Sequence, residues 1–364
     1  MVNRYFRGRF FAILVLGGLA VALAACGGGD DSEGGSSLSR DTGWDNQGVT
    51  ASVADAPFLP RILNSPNGLG VGTNRLAVAL FLPDDTLVIE ADVTAYVYRL
   101  AQDPVADPDG VVAAGEFQMV SRTLDVHEDH QHADPGVARL DLAGDSTRPV
   151  AHAKPRGDAP LLPAHEDALT TVFTTMVEFD QQGWWGVSLD VTTGGETYRD
   201  LRMVRFVVQD PPMPIIGDPA VAVEQLTLAD VGGDPREVST AAEPIEAMLD
   251  TTIAESIQNG RPTVIAFVTP AFCQTRFCGP VLDAVVKPVW EQYGDQVDFI
   301  HVEPYVIEVA RTQGLLQPVQ AVFDWGLESE PFIYVVDASG RVSAALEGIT
   351  DEGELRDAVT ASLE

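Results

Sequence analysis

Two cysteines five residues apart, set between an apolar run and a helical repeat, constrain this chain more than any other feature. They are Cys273 and Cys278 in TPAFCQTRFCGP (Thr269–Pro280). TVIAFV (Thr263–Val268) leads in, continuous and rich in β-branched residues, as a central strand covered on both faces would be. On the far side Val281, Leu282, Val285, Val286, Val289, Trp290 and Tyr293 recur at helical spacing. Pro280 suits the first helical position, and Pro288 inside the repeat predicts a kink. A strand, then thiols, then a helix N-terminus is how a redox or metal-handling thiol site is built. On a regular helix positions i and i+5 diverge by about 140°. Pairing the two sulfurs therefore requires a non-helical turn over Gln274–Phe277, with the Cα atoms about 4.4–6.8 Å apart. The helix N-terminus and Arg276 both favour a thiolate at Cys278.

The surroundings of this stretch alternate α and β. Thr251–Asn259 reads as a helix closed by Gly260. VDFIHVE (Val297–Glu303) is the next strand, with His301 a packed core histidine. FIYVVD (Phe332–Asp337), Ala338-Ser339-Gly340 and RVSAALEG (Arg341–Gly348) form a hairpin, and Glu352–Leu363 a closing helix. The order resembles the thioredoxin fold over residues 218–364. The cysteine pair after the central strand, Cys278-Gly279-Pro280, the kinking Pro288 and Glu330-Pro331 before the hairpin carry the resemblance. It implies a cis peptide at Pro331, facing the thiols. It also implies that Cys273 stands in the place of the attacking thiol and Cys278 in that of the resolving one, whereas the helix dipole favours Cys278. Three departures accompany it. The spacing is Cys-x4-Cys, Val281 follows Gly279-Pro280 where the family has its second cysteine, and Ala266 stands where the family keeps a buried strand aspartate. Sco-type copper chaperones are also similar, but the histidine they carry before the hairpin is missing from Leu327–Pro331.

The chain ahead of this domain reads as an anchor, a tether and a second domain. Residues 1–25 form a lipoprotein signal peptide. Arg4, Arg7 and Arg9 are its positive region, Phe10–Leu23 its apolar core, and Leu23-Ala24-Ala25-Cys26 a cleavage box that leaves Cys26 to carry lipid. Residues 26–49, beginning GGGDDSEGGSS after Cys26, are a flexible tether. One of the three cysteines is thereby assigned to lipid and two remain as a pair, in a compartment that permits disulfides.

Residues 50–210 read as all-β. Elements fall at Asn74–Leu82, Thr86–Leu100, Glu116–Leu124, Thr171–Asp180, Gly183–Thr193 and Leu201–Gln209. Phe173, Thr175, Val177 and Phe179 share one face of their strand, and Trp185, Val187, Leu189 and Val191 one face of the next. Such strands make an immunoglobulin-like β-sandwich, so the fold class is mixed: a sandwich followed by an α/β thioredoxin-like domain. A polar insertion, DVHEDHQHADPG (Asp125–Gly136), interrupts it. His127, His130 and His132 there are candidate copper or zinc ligands, and a solvated loop is the alternative. Residues 211–217, with Pro211, Pro212 and Pro214, are a stiff linker.

With 54 acidic residues against 22 basic, the net charge of −32 repels nucleic acid and anionic headgroups. Gly27–Gly29 and Gly68–Gly72 lack the strand–turn–helix setting of a phosphate loop, and no hydrolase nucleophile motif appears. The function read from these features is a membrane-anchored extracytoplasmic thiol–disulfide oxidoreductase that requires no cofactor and acts on protein thiols or disulfides of the cell envelope. The alternatives are a copper- or metal-binding envelope lipoprotein and a binding module with a degenerate thioredoxin domain. Replacing His127, His130 and His132 together is expected to weaken copper or zinc binding in calorimetry; unchanged affinity removes the metal reading of the loop.

Overall fold

The structure is a computed structural model that describes residues 57–84, 86–103, 106–107, 110–126, 169–202, 205–273 and 277–364. Nine strands come first among them: β1 (Leu59–Ile62), β2 (Gly72–Phe81), β3 (Asp92–Arg99), β4 (Val112–Gln118), β5 (Val120–Asp125), β6 (Leu169–Phe179), β7 (Gly183–Thr193), β8 (Glu196–Arg202) and β9 (Phe206–Val208). They form two sheets, β1-β2-β6-β5 and β4-β3-β7-β8, with β9 added to the Gly183–Trp185 end of β7. All these pairings are antiparallel. The period-two pattern closes a shared core. Leu76, Val78, Leu80, Val177 and Phe179 from the first sheet meet Val93, Ala95, Val97, Trp185, Val187, Leu189 and Val191 from the second. Phe179 and Trp185 meet edge to face, 4.9 Å between centroids.

Two expectations change here. Glu116–Leu124 is not one element but the end of β4 and most of β5, which lie in different sheets. The break falls at Met119, whose buried side chain enters the core while its N–H donates to the Val93 carbonyl at 2.9 Å. Leu201–Gln209 likewise divides between β8 and β9. The second change is burial on both faces. Ala79 and Phe81 of β2, Leu124 of β5 and Val172 of β6 point away from the sandwich core and into a core shared with the C-terminal part. The apolar run of β2 is continuous because its sheet is covered twice.

In the C-terminal part α1 (Ile253–Ser256) is closed at its start by a capping box between Thr252 and Glu255. The central strand β10 (Thr263–Phe267) pairs in parallel with β11 (Asp298–Val302) and antiparallel with β12 (Phe332–Val336). With β13 (Val342–Glu347) the order is β11-β10-β12-β13. Between β10 and β11 runs a continuous helix: α2 (Cys278–Val281), a wider π-type turn over Leu282–Val286, and α3 (Lys287–Tyr293). Pro288 cannot donate an N–H and crowds the preceding turn. The helix accommodates it by widening just upstream. α4 (Ile307–Gln313) and α5 (Gln320–Asp324) follow β11, and α6 (Glu352–Ser362) closes the fold. Alternate residues of β10 face opposite ways. Val264 and Ala266 meet the α2–α3 helix and α6, while Ile265 and Phe267 meet α1, Trp325 and Tyr334. No helix among the described residues is long and apolar enough to cross a membrane.

The two parts are tied by an ion pair. Arg75 of β2 donates from Nε to Glu354 Oε1 of α6 at 2.8 Å and from Nη2 to Oε2 at 2.9 Å. It also donates to the carbonyls of Glu347 (2.9 Å) and Ile349 (2.7 Å). Burial pushes the Glu354 carboxyl up, but Arg75, Thr350 and Arg122 together hold it below the ordinary glutamate range. Pro212, where the chain passes from the sandwich to the second part, lies against Gly326 after α5, which has φ +63°, so that a Cβ there would run into the Pro212 carbonyl. Arg75→Ala would leave Glu354 buried without its bidentate partner, with only Thr350 and the more distant Arg122 beside it. It should lower unfolding stability by about 3–5 kcal/mol in urea titration, whereas Arg75→Met combined with Glu354→Leu should lose much less.

Candidate active site

Strand β10 delivers the thiols. The Val268 N–H still donates to Val302 at 3.2 Å, extending the parallel ladder, and the Ala271 N–H donates to Thr240 Oγ1 at 3.0 Å, which pins the loop that follows. Cys273 ends half-buried on this loop and Cys278 wholly buried at the start of α2. Their sulfurs lie 2.6 Å apart. Gln274–Arg276, which hold most of the expected turn and the cation expected near the pair, lie outside the described residues.

The helix start serves the thiol opposite to the one that the dipole alone favours. The Cys278 N–H donates to Cys273 Sγ at 3.3 Å. Cys278 itself is pushed well above the ordinary thiol range by burial, then by the Cys273 hydrogen bond and charge and by the charge of Glu330. A backbone hydrogen bond from Thr269 offsets only part of this. The physical cause is the doubly covered sheet: Phe277, Cys278 and Val281 share a core with Ala79, Phe81, Leu124 and Val172. Desolvation outweighs the dipole of a one-turn start.

Glu330-Pro331 is the cis peptide expected before the hairpin. The charge of Glu330 raises the Cys278 thiol further. Ala266 is fully buried in the helix-side core, so no strand acid stands there. His301 is a core histidine, as its place in the strand implied. Its Nε2 donates to the Val268 carbonyl at 2.9 Å, which leaves Nδ1 to accept from Ser239 Oγ at 3.3 Å. Burial lowers its pKa to about 4.

Glu303, one residue past β11, had gone unassigned in the sequence. It is 6% exposed. Its Oε2 accepts from the Thr240 N–H at 3.1 Å and the Thr240 hydroxyl at 2.8 Å. The signal for it was an acid at the end of the otherwise apolar run of VDFIHVE. Cys26, His127, His130 and His132 lie outside the described residues. Val126, the residue before His127, packs on the core that Cys273 also touches. Among the described residues no three His, Cys, Asp or Glu side chains are grouped to hold a metal ion.

No family model matches the chain, and no curated protein matches it. Among solved structures it is similar to a thiol:disulfide interchange protein, a thioredoxin family protein from Chlorobium tepidum TLS. The two share 18% identity, with 40% of this chain and 96% of that one covered and a TM-score of 0.25. At that score the likeness carries no weight for the site.

The depressed pKa of His301 sets a pH dependence. The native state binds fewer protons than the unfolded one between about 6.5 and about 4. The stability this neutral imidazole contributes is complete above the unfolded value and is lost as pH falls through the folded one. Urea midpoints of the wild type should therefore fall more steeply from pH 6.5 to 4 than those of His301→Gln.

Proposed function

We propose that the chain is an extracytoplasmic thiol–disulfide oxidoreductase of thioredoxin-like type, acting through Cys273 and Cys278 and held at the membrane by lipid on Cys26. The observation that carries the reading is the asymmetry of the sulfur pair. Two sulfurs lie 2.6 Å apart, one half-buried and receiving a helix N–H, the other sealed in the core. The element order around them, the strand order β11-β10-β12-β13 and the cis bond at Pro331 support the thioredoxin-like assignment of residues 218–364. For residues 50–210 the order β1-β2-β6-β5 against β4-β3-β7-β8 supports an immunoglobulin-like sandwich. It matches that fold's ABED sheet facing CFG with one added edge strand.

In this reading Cys273 attacks. Its thiolate bonds to one sulfur of a partner protein's disulfide as that disulfide breaks, and the departing sulfur takes up a proton. Cys278 then loses its proton and attacks Cys273 Sγ. The Cys273–Cys278 bond forms, and the partner's second sulfur leaves as a thiol. Two electrons pass from the pair to the partner, and the reverse sequence oxidises a partner dithiol. The high pKa of the buried Cys278 keeps it protonated while Cys273 reacts, which is the order the sequence requires.

The reduced chain should turn over insulin disulfides in the presence of a dithiol reductant. Cys273→Ser should abolish turnover, and Cys278→Ser should accumulate a mixed disulfide at Cys273. A reduction potential below about −300 mV would mark a locked structural bridge. Stoichiometric Cu(I) uptake without turnover would mark the metal-binding alternative.

A further inference from the structure

Among the buried polar groups near the thiols, Glu303 stands apart. Oε2 is satisfied twice over by Thr240, but Oε1 is buried with no hydrogen-bond partner among the described residues. Thr269 Oγ1, on the strand exit that leads to Cys273, is likewise buried with no hydrogen-bond partner among the described residues, and it is close enough to act on the carboxyl. Register explains the approach. Phe267 pairs with Val302 in the parallel ladder, so Glu303 comes level with Val268 and the start of the cysteine loop. Thr240 joins the two, accepting from the Ala271 N–H and donating to Glu303. A half-satisfied carboxyl in a dry core is costly unless it is protonated or in use.

We propose that Glu303 is the proton-exchange partner of Cys273, taking the thiol proton as the sulfur becomes a nucleophile and returning it when the sulfur is released. The step is Cys273–SH plus Glu303–COO⁻ giving Cys273–S⁻ plus Glu303–COOH; no bond other than those to the proton changes. The inference rests on the oxidoreductase reading for its consequence in catalysis, though the proton coupling itself does not.

Burial, opposed by the nearby Thr269 hydroxyl and the Thr240 hydrogen bonds and assisted by the Cys273 charge, raises the Glu303 carboxyl to about 8. That puts the carboxyl where it can take up and return a proton near neutral pH, as a general acid–base needs. The neighbouring charges are few. His301, two residues back on β11, is neutral above about pH 4. Cys278 and Glu330 act on each other, and of the thiols it is Cys273 whose charge reaches Glu303. Ser239 and Thr240 bring none, and no Lys or Arg contributes among the described residues. The charge of Cys273 and the Glu303 carboxyl are therefore coupled.

The test is the pH profile of iodoacetamide alkylation at Cys273 in the reduced full-length chain, read by peptide mass spectrometry, together with the rate of insulin reduction. The wild-type profile should bend twice. Glu303→Gln should leave a single bend and slow disulfide exchange about 100-fold, while Glu303→Asp should keep both bends. Thr240→Val, which removes the hydroxyl donor to Oε2, should move the carboxyl bend to higher pH, and it serves if Glu303→Gln does not fold. Superimposable profiles for wild type and Glu303→Gln, an unmoved bend in Thr240→Val, or an unchanged exchange rate in Glu303→Gln would overturn the proposal. A wild type with two Glu303-dependent bends but no exchange would sink the oxidoreductase reading and leave the proton coupling standing.

Discussion

Desolvation of the α2 start by the outer face of the β1-β2-β6-β5 sheet is the constraint on which the thiol site depends. A sandwich ordinarily shows water its outer faces. Here that face carries Ala79, Phe81, Leu124 and Val172 into the same core as Cys278. An exposed helix N-terminus would hold a thiolate at its first residue. Covered in this way, the same residue is the harder of the two thiols to ionise, and its N–H is left to serve Cys273. The sandwich thus takes part in setting the order of reactivity within the pair.

That cover needs a fixed joint, because an apolar face held loosely would let water reach Cys278. Arg75 supplies it. Its guanidinium is saturated by a bidentate carboxylate and two carbonyls, all from the β13–α6 end of the second sheet. Such a pair is costly to bury and weak as a source of net stability, but it demands one geometry. Gly326 against Pro212 makes a second demand of the same kind, since a side chain there would push the parts aside.

The sequence carried most of the C-terminal fold in readable form. β10, the repeat from Val281 to Tyr293, the hairpin and α6 each have a strong period, and Pro288 announced a distortion that takes the form of a widened turn. The front part was readable where one face alone is buried, as at Trp185–Val191. It was misread at Met119 and between β8 and β9, where the chain changes partners without a turn signal. The pairing of Cys273 with Cys278 was legible from spacing and setting. The burial that raises the Cys278 thiol was not, because it depends in part on Ala79, Phe81, Leu124 and Val172, far earlier in the chain. Glu303 was hidden for the same reason: a strand-end acid reads as solvated until the neighbouring loop and Thr240 are seen to close over it.

The departures from the thioredoxin pattern are then connected. With Cys-x4-Cys spacing the half-buried sulfur is carried out on the loop instead of on the helix, and the buried one takes the helix start. An acid in the middle of β10, where Ala266 stands, would lie under the helix and among the residues around Cys278. It would add a second buried charge beside a thiol already raised by burial and by Glu330. An acid at the end of β11 lies under the loop instead. There Thr240 fastens it to the same segment that carries Cys273. Moving the first cysteine out to the loop thus shifts the useful place for a proton partner from the centre of one strand to the end of its parallel neighbour, and Glu303 occupies that place.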